Sequence, residues 1–308
     1  VIKLPNRGVL RVKGEDAVPF LNNILTNDIT NASTTTAIFA ALLSPQGKYL
    51  FDCFVLRINE TELLLDCNGP NEFAAKLNIF KLRAKVTITI CDDLAVFAQL
   101  RNETGEIADA YIFKDPRLEA LGNRIIATAG LETNERVTEY ESHRISLGIP
   151  DLSQDLIRDK DFALEGLMDE LGGIDFQKGC YIGQEMTSRM KRRGTVKQKL
   201  CRIKIASAHP ISRESKWGAR FACLSRFLSK NRFTLFGKRF SQQIAFDTPI
   251  VAGTSEIGRI RSNNGALGMA LVRFDRWQLA LTNGQELLAS DVKIIIDPPE
   301  WLHFGVSE

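Results

Sequence analysis

One stretch of the chain gathers residue types able to do chemistry: Lys178-Gly179-Cys180-Tyr181-Ile182-Gly183-Gln184-Glu185, continued by Met186, Thr187, Ser188 and Arg189. A cysteine reacts and binds metal as its thiolate, a form that Lys178, Arg189 or exposed backbone donors would favour. Tyr181 offers a face for stacking, and Gln184 and Glu185 can fix a polar ring edge or orient a partner. No histidine lies near enough in sequence to make a Cys-His nucleophilic pair, so the chemistry is that of a single thiol. Gly179 and Gly183 weaken a helix through this stretch, and its polar residues break the alternation of a strand. The spacing therefore predicts a bend that places Cys180 at a surface or cleft.

The remaining cysteines, Cys53, Cys67, Cys91, Cys201 and Cys223, form no CxxC pair. Cys53 and Cys91 sit in apolar, strand-like surroundings and read as small core residues. With three histidines scattered over 308 residues, no zinc-ligand spacing emerges. No apolar run reaches the roughly 18 residues that span a bilayer, and the start of the chain reads as a strand rather than a targeting peptide. Reduced cysteines and a cytoplasmic location are the resulting expectations. A net charge of +3 hides a basic run from Arg189 to Lys204 and an aromatic-basic stretch from Arg213 to Gln243. Such fields attract nucleic acid, an anionic small molecule or an acidic partner.

The elements that must position these residues read as α+β. A strand at Gly8–Lys13 leads to a helix from Asp16 to Leu25, which polar side chains stop at Thr26-Asn27-Asp28. A hairpin follows, Thr36–Leu43 and Tyr49–Ile58 joined by Ser44-Pro45-Gln46-Gly47-Lys48. Thr61–Cys67 reads as a strand and Asn71–Phe80 as an amphipathic helix. Strands are expected at Val86–Cys91, Leu94–Leu100, Ala110–Phe113 and Asn123–Ala127, a helix at Arg136–Leu147 and a short amphipathic segment within Asp159–Leu171. Beyond Thr195 the alternation is β-like, with strands near Leu200–Ile205, Ile250–Val251, Gly258–Ile260, Leu267–Val272 and Val292–Ile296, as in a small barrel or sandwich. The expected divisions are an N-terminal α+β region (1–85), a middle α+β region holding the Cys180 stretch (86–195) and a C-terminal β-barrel (196–308).

Lys178 to Glu185 resembles the signature of the YgfZ-like folate-binding proteins, the iron-sulfur maturation branch related to the glycine cleavage T-protein (aminomethyltransferase). Phe20–Asp28, Leu42–Lys48, Phe51-Asp52, Arg144–Pro150, Leu171-Gly172-Gly173, Gly258–Ser262 and Gly268–Arg273 extend the resemblance over most of the chain. It implies a T-protein-like fold of three regions around a central cavity that binds tetrahydrofolate or a one-carbon derivative, with no permanently bound metal. It makes Cys180 the functional thiol and places Asn27, Asp28, Gln46, Asp52, Tyr181, Gln184, Glu185 and Arg189 toward the folate site. The implied role is accessory, in assembling or repairing iron-sulfur clusters of client enzymes, by a monomer that contacts those clients or the cluster-assembly proteins and no membrane. The related transferases carry paired aspartates where this chain has Phe51-Asp52, which favours a maturation factor over a tetrahydrofolate-dependent aminomethyltransferase. The basic stretches leave a third reading, an RNA-binding or tRNA-modification accessory protein with weak RNA contact.

Overall fold

The computed structural model describes residues 1–100, 107–133, 136–206 and 244–302. Two antiparallel sheets and a barrel organise them. The first sheet has the order Ile38–Leu43, Tyr49–Asn59, Glu62–Asn68, Arg7–Lys13, Thr87–Ile90. The second runs Ile2–Lys3, Leu94–Gln99, Asn123–Thr128, Tyr111–Lys114. Pairing crosses the expected division at residue 85, because Thr87–Ile90 joins the first sheet along Arg7–Lys13 while Ile2–Lys3 joins the second along Leu94–Gln99.

Alternation along the first sheet explains its two buried faces. Phe51, Cys53 and Val55 point to one side, where the helices Ala17–Ile24 and Pro70–Lys81 supply Phe20, Leu21, Phe73 and Leu77. Phe54 and Leu56 point to the other and share a core with Val96, Ala98 and Ile126 of the second sheet. A strand with both faces covered reads as a nearly continuous apolar run, and residues 49–56 do, apart from Asp52.

The third unit is a closed barrel of six strands, Gln198–Ile205, Leu267–Arg273, Ser255–Asn264, Pro249–Ala252, Leu287–Ala289 and Val292–Ile296. Its interior holds Cys201, Ile203, Ile260, Ala270, Val272 and Ile294. Closure removes the unpaired edges that an open sheet would expose. The barrel is anchored to the chain before it by polar contacts: Arg261 Nη2 donates to Asp161 Oδ2 at 3.1 Å and Trp301 Nε1 to the Leu147 carbonyl at 2.9 Å.

Most expected elements appear within two residues of their predicted ends. Three helices do not follow the reading: Gln184–Arg193, Leu152–Asp155 and Phe274–Thr282 were not foreseen, and Asp159–Leu171 contains only the 3-10 turn Ala163–Gly166. The basic run is thereby split between the end of one helix and a barrel strand. The stretch Arg213–Gln243, with Cys223, lies outside the described residues.

Candidate functional site

The Lys178–Gly183 segment is a loop that feeds the helix Gln184–Arg193. Three other segments hold it. Thr26 Oγ1 donates to the Gly173 carbonyl at 2.6 Å, and Asn27 Nδ2 donates to the carbonyls of Gly172 (2.7 Å) and Phe39 (2.8 Å). Asp175 N donates to the Thr26 carbonyl at 3.0 Å, and Asp175 Oδ1 in turn accepts from Gln177 N and Lys178 N. The polar residues that end the first helix thus tie down the double-glycine turn leading to the loop.

Lys178 makes the tightest of these connections. Its ammonium donates to the carbonyls of Asn22 (2.6 Å), Leu25 (2.9 Å) and Asn27 (2.7 Å) and to Asn22 Oδ1 (3.1 Å). The last carbonyls of a helix lack partners of their own and carry partial negative charge, so a cation there both caps and stabilises the Ala17–Ile24 helix. Its donors are thereby spent on the helix end and not on Cys180.

The hairpin turn closes the site from another side. Gly183 has φ +84, and a Cβ there would lie 2.6 Å from the Ser44 carbonyl and 3.2 Å from Gly47 Cα. At Gly47, with φ +76, an added Cβ would lie 3.2 Å from Met186 Cβ and from Thr187 Oγ1. Two glycines in the left-handed region therefore allow backbone-to-backbone contact that any side chain would block. Gln46, at the tip of the same turn, is exposed, and Asp28 caps the 3-10 turn Ile29–Asn31 by accepting from Thr30 N at 3.0 Å. Hydrogen bonds to Thr30, led by its hydroxyl, hold the Asp28 carboxyl below its ordinary pKa.

Cys180 is exposed on this clamped loop, whereas Cys53, Cys67, Cys91 and Cys201 are buried. Burial pushes those four thiols up, Cys201 to about 12, away from the thiolate. Glu185 and Arg189 are exposed on the following helix, and Gln184 Nε2 reaches the Gly179 carbonyl at 3.4 Å. Tyr181 is in the core, where its hydroxyl has no hydrogen-bond partner among the described residues and burial raises it to about 12. It supports the loop from below and offers no stacking face to solvent.

Asp52 belongs to a different place. It lines a cavity at the inner face of the first sheet, together with Arg7, Arg117, Arg124, Arg144 and Asp151. Asp52 accepts from Tyr49 Oη at 2.7 Å and pairs with Arg7 Nη1 at 3.1 Å. Asp66 pairs with Arg7 and accepts from Arg124 Nε at 2.7 Å, while Asp115 pairs with Arg117 at 2.7 Å. Three guanidiniums, of Arg124, Arg7 and Arg117, lie 4.0, 5.0 and 5.1 Å from the Phe54 ring centroid. Burial would raise Asp115, but Arg117 and Arg124 hold its carboxyl below the usual range. Asp151 is likewise drawn down to about 2, by Arg144 and Arg7 acting against burial.

Sequence reasoning named Asp52 alone from this network. A signal for Asp66 was present, since a lone carboxylate inside Leu63-Leu64-Leu65-Asp66-Cys67 is costly to bury without a cationic partner. Its partners, Arg7 and Arg124, come from strands 59 and 58 residues away and no spacing reveals them.

Comparison with known proteins follows the same division between fold and loop. The solved structure of the glycine cleavage system aminomethyltransferase T from Bartonella henselae superposes with a TM-score of 0.65, covering 98% of this chain and 85% of that one at 14% identity. The architecture is therefore the aminomethyltransferase fold with a closed C-terminal β-barrel. Residues 232–304 match the family model of the CAF17 C-terminal beta-barrel domain. By sequence the chain is similar to proteins named as iron-sulfur cluster assembly factors IBA57. It is 26% identical to the human protein named iron-sulfur cluster assembly factor IBA57, mitochondrial, across 97% of this chain and 84% of that protein. It is 29% identical to the IBA57 homolog of Mycosarcoma maydis, across 64% of this chain and 55% of that protein. The expectation of a cytoplasmic protein is overturned by the relatives, eight of which are named as mitochondrial. A composition without a membrane span does not distinguish the two compartments.

The resemblance carried by Lys178–Glu185 implies a folate in the central cavity, and the lining supports one half of that expectation. Asp52 and Asp151 can accept from a pterin edge, and Arg117 or Arg144 can meet a carboxylate. The space does not: the cavity is about 30 Å³, room for one or two waters. In this arrangement the guanidiniums of Arg7, Arg117 and Arg124 occupy the interior and are committed to Asp52, Asp66 and Asp115, so a pterin ring does not fit.

Proposed function

We propose that this protein is an accessory factor for iron-sulfur cluster assembly or repair, in which Cys180 is the working thiol. The observation that carries the reading is the exposure of Cys180 on a loop fixed at both ends, by Lys178 and by the contact between Gly183 and the Ser44–Lys48 turn. A fixed, solvent-facing thiol can lend one ligand to a cluster, giving up its proton as the metal binds. Iron-sulfur clusters are commonly held by four, so a partner supplies the others, and the cluster is cargo rather than a resident group. Client iron-sulfur enzymes or cluster-assembly proteins are the proposed partners, and a single chain is the proposed working unit. Exposed Arg189, Arg192, Arg193 and Lys197 offer an acidic partner a landing surface. Contact with RNA through them would be salt-sensitive and without sequence preference.

A tetrahydrofolate or one-carbon derivative is the ligand proposed from the resemblance; the cavity beside Asp52 has no room for its pterin in the arrangement described, so binding requires Arg7, Arg117 or Arg124 to move. Aminomethyl transfer is not part of the proposal. The position of the second aspartate is taken by Phe51, which stacks on Phe73 at 4.9 Å on the opposite face of the strand from Asp52. Fold alone does not restore the missing carboxylate.

Anaerobic calorimetry with tetrahydrofolate tests the cavity, and cluster transfer to an apo-acceptor tests the thiol, each on the unchanged protein, Asp52→Ala and Cys180→Ser. The reading expects folate binding weakened by Asp52→Ala alone and transfer lost in Cys180→Ser alone. Absence of folate binding removes the ligand, and transfer undiminished in Cys180→Ser removes the role of the thiol.

A further inference from the structure

The helix that Lys178 caps has a second face. Its residues Pro19, Phe20, Asn23 and Ile24 form one wall of a groove whose other wall is Phe80 to Ala84, at the end of the helix Pro70–Lys81. The groove is about 370 Å³, within the range of pockets that take a ligand or an anchoring side chain. Its lip is unusually apolar for an exposed surface. Leu82 is 89% exposed and Ile79, in the preceding turn, 64%. Leu82 also holds φ +44, ψ −106, a conformation a branched side chain adopts only against strain, and such outliers gather where a surface must hold a particular shape.

The lining carries two cations, Lys81 and Arg83, against one carboxylate, Asp16. Lys81 and Arg83 line the groove and make no ion pair among the described residues. The acidic side chain in the lining, Asp16, already accepts from Lys85 N at 2.8 Å, and nearby Glu15 pairs with Lys85 at 2.8 Å. An occupant that matches this surface has an apolar anchor and carboxylates beside it. Position adds to the match, since Asn23 lines the groove and Asn22, its neighbour, is gripped by Lys178 through both carbonyl and side chain. One short helix therefore carries the groove on one side and the latch of the Cys180 loop on the other.

We infer that this groove docks a segment of a partner protein that carries a bulky apolar side chain flanked by carboxylates, next to the loop that presents Cys180. The inference rests on the proposed function only for calling that partner a cluster carrier or client. Binding in the groove needs no cluster and no thiol.

The test uses the full chain with labelled isoleucine and leucine methyl groups. It is titrated with three peptides of equal length: one centred on Glu-Asp-Leu-Phe-Asp-Glu, one with its acids replaced by lysine, and one with Leu-Phe replaced by Gly-Ser. The expected result is shifts at Ile24, Ile79 and Leu82 with the first peptide alone, and affinity reduced about tenfold by Leu82→Asp. Lys81→Glu with Arg83→Glu, both at exposed or half-buried positions, should reverse the preference toward the lysine peptide. No shift at millimolar peptide, or equal shifts with acidic and lysine peptides, overturns the inference. So does a concentration-dependent dimer in light scattering that Leu82→Asp abolishes, because the occupant would then be a second copy. Cys180→Ser should bind the acidic peptide unchanged, so failure of the thiol reading leaves the groove standing and failure of the groove leaves the thiol reading standing.

Discussion

Replacing Gly183 by alanine tests whether the Cys180 loop is held by backbone contact with the hairpin. The residue has φ +84, so an added Cβ pays about 1–2 kcal/mol for the left-handed region. That Cβ would also stand 2.6 Å from the Ser44 carbonyl and 3.0 Å from Leu43 Cβ, a clash with backbone rather than with a side chain that can swing away. Overpacking of this kind costs about 1–3 kcal/mol, giving about 2–5 kcal/mol in all. For a chain of this length that is a fall of about 3–8 °C in Tm. Gly172→Ala is the internal control, because Gly172 shares the backbone conformation at φ +67 but has nothing within 4 Å of the added carbon. It should cost only the conformational share, about 1–2 kcal/mol. Calorimetry or urea unfolding of the two variants beside the unchanged protein gives the comparison. Equal destabilisation by both substitutions would refute the close contact, and no destabilisation by either would refute the left-handed turns.

Three further outcomes follow from the same geometry. Asp66→Asn leaves Arg7 and Arg124 without their shared buried carboxylate and should cost about 3–5 kcal/mol in urea unfolding; a loss below about 1 kcal/mol would show that the network is not a buried unit. Glu170 is pushed up to about 7, by burial and by its contact with Asp169, against Lys199. A carboxyl raised in the folded state stabilises it most when protonated, so Tm should fall as pH rises from about 5 through 7, and Glu170→Gln should flatten that slope. Lys178→Met removes the cap from three carbonyls, so hydrogen exchange at residues 20–25 should quicken while that of the barrel stays unchanged; equal quickening in both would mean that the ammonium supports the whole fold and not one helix.

The sheets, the two N-terminal helices and most of the barrel were legible because alternation and helical spacing follow from which face is buried. The exceptions have physical causes. Gln184–Arg193 buries only Thr187 fully and is otherwise polar, so it presents little apolar periodicity to read. Phe274–Thr282 begins directly after a barrel strand, and its apolar residues continue the β-like texture before it. The loop of the candidate site was legible, since glycines on either side of a cysteine in a polar stretch signal a surface turn. Tyr181 shows the limit: within a polar stretch a tyrosine reads as exposed, and only the packing reveals it as the loop's buried support. The arginine-carboxylate network behind Asp52 was not legible, because its members meet only after two sheets have folded against each other.

The central claim concerns Cys180, and the most direct measurement is rescue. Cells lacking their own cluster assembly factor would be supplied with the unchanged protein or with Cys180→Ser at matched abundance, and the activity of an iron-sulfur enzyme measured against that of a cluster-free enzyme from the same compartment. The account predicts that the serine variant, folded and as abundant as the original, fails to restore the iron-sulfur enzyme while the cluster-free enzyme is unaffected. Equal rescue by both proteins would contradict it.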